Sequence, residues 1–152
     1  MGKEDAISKK AKKGFDLFKG KAACVVCHDG FNFTDGSFHN LGIHDEELKG
    51  KELGRYNVKN RGAWYGVFKT PTLRDVALTA PYMHDGRFET LEEVIEHYNS
   101  GLNASSTIDP ALVQTMGTGL RLDSTDKADL VAFLKTLTDH YLLENPEYSS
   151  PF

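Results

Sequence analysis

Cys24-Val25-Val26-Cys27-His28 is the stretch on which the reading of this chain turns. Two thiols separated by two residues, with an imidazole directly after the second, form the attachment signature of a c-type haem. On a turn of helix, residues three apart share a face, so both sulfurs can reach the vinyl-derived carbons along one porphyrin edge. His28, four after Cys24, then projects beneath the ring, where it can give the iron a proximal nitrogen. The chain has 2 cysteines, and the motif uses both. A disulfide would be strained at this spacing, and a thioredoxin-like pair would want a surrounding strand–helix unit. A zinc site would need two further ligands, and there is no second cysteine pair to supply them. The expectation is one covalently bound haem c.

Working outward, the 152 residues are one domain's worth of chain, with a core expected over about 4–138 and an extended tail over 139–152. Hydrophobic content of 39% and charged content of 26% are ordinary for a globular protein. A net charge of −4 argues against general nucleic-acid binding. The charge is uneven, because Lys3, Lys9, Lys10, Lys12, Lys13, Lys19 and Lys21 crowd the start. Such a cluster either steers an acidic redox partner or is the solvated face of a helix. No run of about 18 apolar residues exists to span a membrane. The segment after Met1 lacks the apolar stretch of a signal peptide. Covalent haem attachment takes place outside the cytoplasm, so the expected location is periplasmic, with the leader outside this sequence.

Residues 3–19 read as a first helix, with Ile7, Ala11, Phe15 and Phe18 on one stripe and lysines opposite. Gly14 within it would permit close approach of another helix. From Asp29 to Lys69 the periodicity dissolves into a long Gly-, Asn- and Asp-rich region, a length that favours a functional loop such as a cofactor wrap. Thr90 with Glu93 forms a capping box for a helix whose buried stripe is Leu91, Val94, Ile95 and Tyr98, with Glu96 and His97 off it. Gly101 is the expected glycine stop. Residues 102–122 read as a loop with Pro110 and Met116. A last helix starts near Asp123 or Ser124 and carries Leu130, Phe133, Leu134 and Leu137 on one side. No stretch alternates as a strand. The fold class expected is all-α: terminal helices packed around one covalently attached haem, with long haem-wrapping loops, as in a class I cytochrome c.

Phe33-Thr34-Asp35 with Phe38-His39-Asn40, then Phe68-Lys69-Thr70-Pro71-Thr72-Leu73-Arg74-Asp75 running on through Ala80-Pro81-Tyr82-Met83-His84-Asp85-Gly86, and finally the 129–139 helix, carry a resemblance. They resemble the C-terminal haem domain of the bacterial dihaem cytochrome c peroxidase/MauG family, from about Phe15 to Thr138. Members are about twice this long and hold two haems, the N-terminal one reducing peroxide and the C-terminal one relaying an electron. This chain has one attachment motif, so the resemblance implies haem-mediated electron transfer as its function. The alternative is a peroxidase or MauG-like oxidase acting on peroxide, alone or with a second haem domain. The implied partner is a redox protein or that second domain.

The distal ligand decides between them, since two strong axial ligands suit electron transfer and an open position suits peroxide. An ungapped count from His84 places the family's distal residue at Tyr98, where the MauG branch is similar in using tyrosine. Met116 is the rival, because a thioether in a loop before the last helix raises the potential as in simple cytochromes c. Met83 ranks third. Tyr98 and Met116 also have plain packing readings, as a buried helix tyrosine and a gap-filling methionine. His84 resembles a family histidine near the haem edge, with a propionate bond, a domain-coupling role or a plain turn contact as its options. Arg74 is a candidate propionate partner or an ordinary ion pair. His39 reads as a loop cap or a propionate contact, and Trp64 as packing or a step on an electron path. The family's calcium would draw on Thr79 and Pro81, but it also needs an oxygen from the other domain, so no ion is expected in this chain alone.

Overall fold

The computed structural model describes residues 6–44 and 52–149. The first helix, α1, runs Lys9–Lys19. It starts later than the periodicity suggests because the Ser8 hydroxyl accepts the Ala11 N–H at 3.1 Å and so ends the non-helical lead-in. Residues 6–8 precede the helix, and 3–5 lie outside the described residues. Ala11 and Phe18 are buried, whereas Phe15 is 36% exposed and lays its ring on Phe133 at 5.0 Å.

Helix α3 (Leu91–Ser100) carries the expected capping box. Glu93 accepts the Thr90 N–H at 2.9 Å, and the Thr90 hydroxyl accepts the Glu93 N–H at 3.2 Å. Helix α5 (Ser124–Lys135) has the same device built from Asp123 and Asp126. The principal packing is α1 on α5. A methyl group at Gly14 would fall inside contact of the Asp129 carbonyl oxygen and 2.8 Å from Phe133 Cβ, so only glycine lets the two helices cross this closely. Phe18, Leu91, Ile95, Leu122, Leu130, Phe133, Leu134 and Leu137 form the core between α1, α3 and α5.

Four expectations are corrected. The chain is mostly helical but not all-α, because β1 (Phe38–His39) and β2 (Phe68–Lys69) pair antiparallel, Phe38 opposite Lys69 and His39 opposite Phe68. The described part of the 29–69 stretch also holds a short helix, α2 (Tyr56–Lys59). The loop before α5 contains the one-turn helix α4 (Pro110–Val113), capped by Asp109 through the Ala111 N–H. The tail is not extended throughout: α6 (His140–Glu144) forms, with the Asp139 side chain accepting from Tyr141 and Leu142.

Helix α3 brings a further correction. His97 is buried at 7% exposure, not turned away, and donates from Nε2 to the Leu41 carbonyl at 2.9 Å. The 40–43 segment and Phe88 cover a second side of the helix, which a one-stripe reading cannot register. Gly101 does end the helix, but with φ −104 and not the left-handed value. Its lack of a side chain matters because a Cβ there would sit 3.1 Å from His97 Cα.

Candidate haem site

The attachment motif follows directly on α1. Ala23 adopts φ 52, a left-handed value uncommon outside glycine, and turns the chain into a 3₁₀ turn over Cys24–Val26. The Cys27 and His28 N–H groups both donate to the Cys24 carbonyl, at 3.3 and 2.9 Å. That turn presents both sulfurs as free thiols. Burial pushes the Cys24 thiol up to about 12 and the Cys27 thiol up to about 11, with the Asp109 and Asp35 charges adding to the second. Both are therefore protonated at neutral pH.

Beneath the motif, the carbonyls of three consecutive residues are held. The His28 Nδ1–H points at the Phe33 carbonyl, 2.9 Å away. The Thr72 hydroxyl donates to the Asn32 carbonyl at 2.6 Å. Arg74 donates to the Phe31 carbonyl from Nε at 3.0 Å and from Nη2 at 2.6 Å. A carbonyl only accepts, so the neutral His28 ring carries its hydrogen on Nδ1 and its lone pair on Nε2. Burial pulls the imidazole below its ordinary range, partly opposed by the Phe33 bond, and so keeps it in that neutral form. A second hydrogen bond that fixes ring and tautomer is the usual support of a metal-ligating histidine.

On α3, Tyr98 lies within electrostatic reach of both thiols. Burial raises its phenol well above the ordinary tyrosine value, and Cys24 and Cys27 raise it further. Its hydroxyl has no hydrogen-bond partner among the described residues. Met116 is half-buried just past α4. Its neighbours Thr115 and Gly117, together with Tyr98 and Leu102, line a cavity of about 210 Å³. The Met116 segment is tied to α3 by Leu120 N–H to Asn99 O at 3.2 Å and Leu122 N–H to Asn99 Oδ1 at 3.0 Å. Two free thiols, an imidazole with an available Nε2 and an unsatisfied phenol are a donor set that fits a covalently held haem.

Other candidates fall elsewhere. Arg74 is spent on the Phe31 carbonyl, with its guanidinium 4.5 Å from the Phe31 ring centre. His84 stacks on Phe68 at 3.7 Å and meets His44 at 3.3 Å. His39 bridges Asp109 at 2.6 Å and Asp35 at 2.8 Å. Trp64 packs edge-on to Phe38 and beneath Arg55. Met83 lies in a turn closed by the Gly86 N–H, and Thr79 and Pro81 are exposed. The sequence offered no sign of the His44–His84–Asp85 and Cys27–Asp35–His39 groupings, each assembled from residues on separate segments.

No family model matches the chain. Over 139 residues it is 42% identical to the methylamine utilization protein MauG of Methylorubrum extorquens, covering 90% of this chain and 37% of that protein. It is 36% identical to the cytochrome-c peroxidase IdrP2 of a Pseudomonas species, covering 95% of this chain and 44% of that one. Among solved structures, a MauG-like protein associated with microbial copper homeostasis superposes with a TM-score of 0.89 at 34% identity, over 97% of this chain and 52% of that one. The dihaem peroxidase BthA of Burkholderia thailandensis, at 20% identity and a TM-score of 0.65, shares the fold. The chain thus spans about two-fifths of the length of the named relatives. Along that span it belongs to the MauG/dihaem cytochrome c peroxidase family, as one haem domain of it.

Proposed function

We propose that this chain is the electron-relay haem domain of its family, equivalent to the C-terminal one, working outside the cytoplasm beside a second haem domain or a redox partner. The haem c would be held by thioethers from Cys24 and Cys27, each S–H adding across a vinyl group, with His28 Nε2 as the proximal iron ligand and Tyr98 as the distal one. Such a haem supplies one-electron chemistry. The residues around it do the rest. The Phe33 carbonyl orients His28, and Arg74 and Thr72 steady that carbonyl's neighbours. Thioether formation removes two of the influences that raise the Tyr98 phenol, and ferric iron would favour its anionic form.

The observation that carries this reading is Tyr98: a half-buried side chain on the wall of a cavity, its hydroxyl without a hydrogen-bond partner among the described residues and within electrostatic reach of both thiols. A relay is favoured over a peroxidatic centre because no acid–base group is free beside it among the described residues. Glu92 and Glu93 are exposed, Glu93 is committed to the helix cap, and His97 is committed to the Leu41 carbonyl. The names of the relatives favour a peroxidase or oxidase only for the longer, two-haem assembly.

Ferric optical and EPR spectra test the assignment. Tyr98→Phe is expected to abolish the distal ligand and convert the iron to high spin, while Met116→Leu leaves the spectrum unchanged. A methionine charge-transfer band lost in Met116→Leu would reject the tyrosine assignment. Peroxide turnover by this chain alone would reject the relay.

A further inference from the structure

Apart from the thiols, three side chains from two separate segments meet in an arrangement the haem reading does not use. One ligand atom each from His44, His84 and Asp85 lies within 4.8 Å of the others. The His44 and His84 Nε2 atoms are 3.3 Å apart. A tetrahedral ion with bonds of about 2.0–2.1 Å to each nitrogen separates them by roughly 3.3 Å. The Asp85 carboxylate comes within 3.7 Å of His44 Nε2, and Glu52 Oε2 comes within 3.9 Å of His84 Nε2.

The supports around this cluster are those of a positioned site. His84 lies flat against Phe68, the planes inclined by only 16°. The backbone before His44 is pinned, because the Ile43 carbonyl accepts from Arg87 at 2.7 Å and from Asn103 at 3.2 Å. His84 and Glu52 also line an open cavity of about 420 Å³, which gives an ion a route in. Among the described residues, one group opposes it. The Arg87 guanidinium grips Asp85 Oδ2 at 2.6 Å and approaches His44 Nδ1 and Nε2 at 3.1 and 3.2 Å.

We propose that His44, His84 and Asp85, with Glu52 closing the fourth position from the cavity rim, form a binding site for a borderline divalent first-row transition ion of the zinc type, for which Arg87 is the built-in competitor. Two imidazoles and two carboxylates match the ligand preferences of such an ion and not those of calcium or magnesium. In the ion-free state the two facing nitrogens share one hydrogen and Arg87 supplies the positive charge. Binding shifts that hydrogen to Nδ1 of the ring that carries it, so that both Nε2 lone pairs face the ion, and moves the guanidinium off Asp85. The inference is independent of which residue ligates the haem.

Zinc titrated into the haem-loaded chain at pH 7.5, followed by calorimetry, tests it. One zinc per chain is expected, weakened at least about tenfold in His44→Gln and in His84→Gln, and tightened in Arg87→Gln. The zinc absorption edge of the wild-type complex, which needs no variant, should show scattering from two imidazole rings. No zinc uptake by either wild type or Arg87→Gln overturns the proposal. So does affinity retained when both histidines are replaced, or an edge spectrum without imidazole.

Discussion

Arg74 grips the Phe31 carbonyl with two N–H groups while its plane lies over the Phe31 ring, so its loss removes a charged hydrogen bond and a ring contact together. Replacing it with alanine should cost about 1.5 kcal/mol of stability, near the low end for hydrogen bonds to charged groups because the guanidinium is half-exposed. Urea unfolding of the variant measures this. Arg74→Lys should restore little of it, since an ammonium cannot present two parallel donors to one carbonyl. At this scale the sequence was informative for the residues whose chemistry is local. The roles proposed for Cys24, Cys27 and His28 rest on their spacing. Arg74 was marked as notable, but its partner is a carbonyl 43 residues upstream, and backbone acceptors leave no trace in a sequence. His84 likewise gave no hint of His44.

At the scale of elements, the α1–α5 crossing and the His39 clasp make separate demands. Gly14→Ala gains helix propensity of about 1 kcal/mol, yet it drives a methyl into the α5 backbone, where overpacking costs about 1–3 kcal/mol or more. The net expectation is a lower melting temperature, read by circular dichroism. His39 ties β1 to the loop at Asp35 and to the cap of α4 at Asp109. Burial acts against its protonation, but the bonds to Asp109 and Asp35 outweigh it and raise the imidazole above 6.5. A raised folded value means that this stabilisation is complete below about pH 6.5 and is lost as pH climbs through that value. Asp35 moves the other way. Burial again opposes, but the Ser37 N–H and His39 hold it at about 2, so its share is present above about pH 4 and lost on further acidification. The wild type should thus melt higher at pH 6 than at pH 8, and His39→Gln should shrink that difference. For α5 the sequence pointed only to a start near Asp123 or Ser124, whereas the Thr90–Glu93 capping box was readable in advance because a cap is a contact three residues long. The second covered side of α3 was not, because the segment that covers it comes from more than fifty residues away.

For the whole molecule, the core draws on residues from Phe18 to Leu137, and Cys24, Val25, Phe33 and Leu73 pack against it. The Cys24–His28 turn therefore shares the cooperative unit formed by the outer helices. Denaturant unfolding followed by the haem absorption and by helical circular dichroism should give coincident transitions. Early loss of the haem signal would show the 23–35 region to be a separate unit. The three held carbonyls carry one more consequence, for anyone wishing to move this candidate haem site into another protein. The pentapeptide brings the sulfurs and the imidazole, but the ring's bearing is set by Phe33, whose neighbours are fastened by Thr72 and Arg74. The smallest portable unit is two pieces, residues 23–33 and 72–74, and a graft of the first alone would deliver a histidine free to swivel.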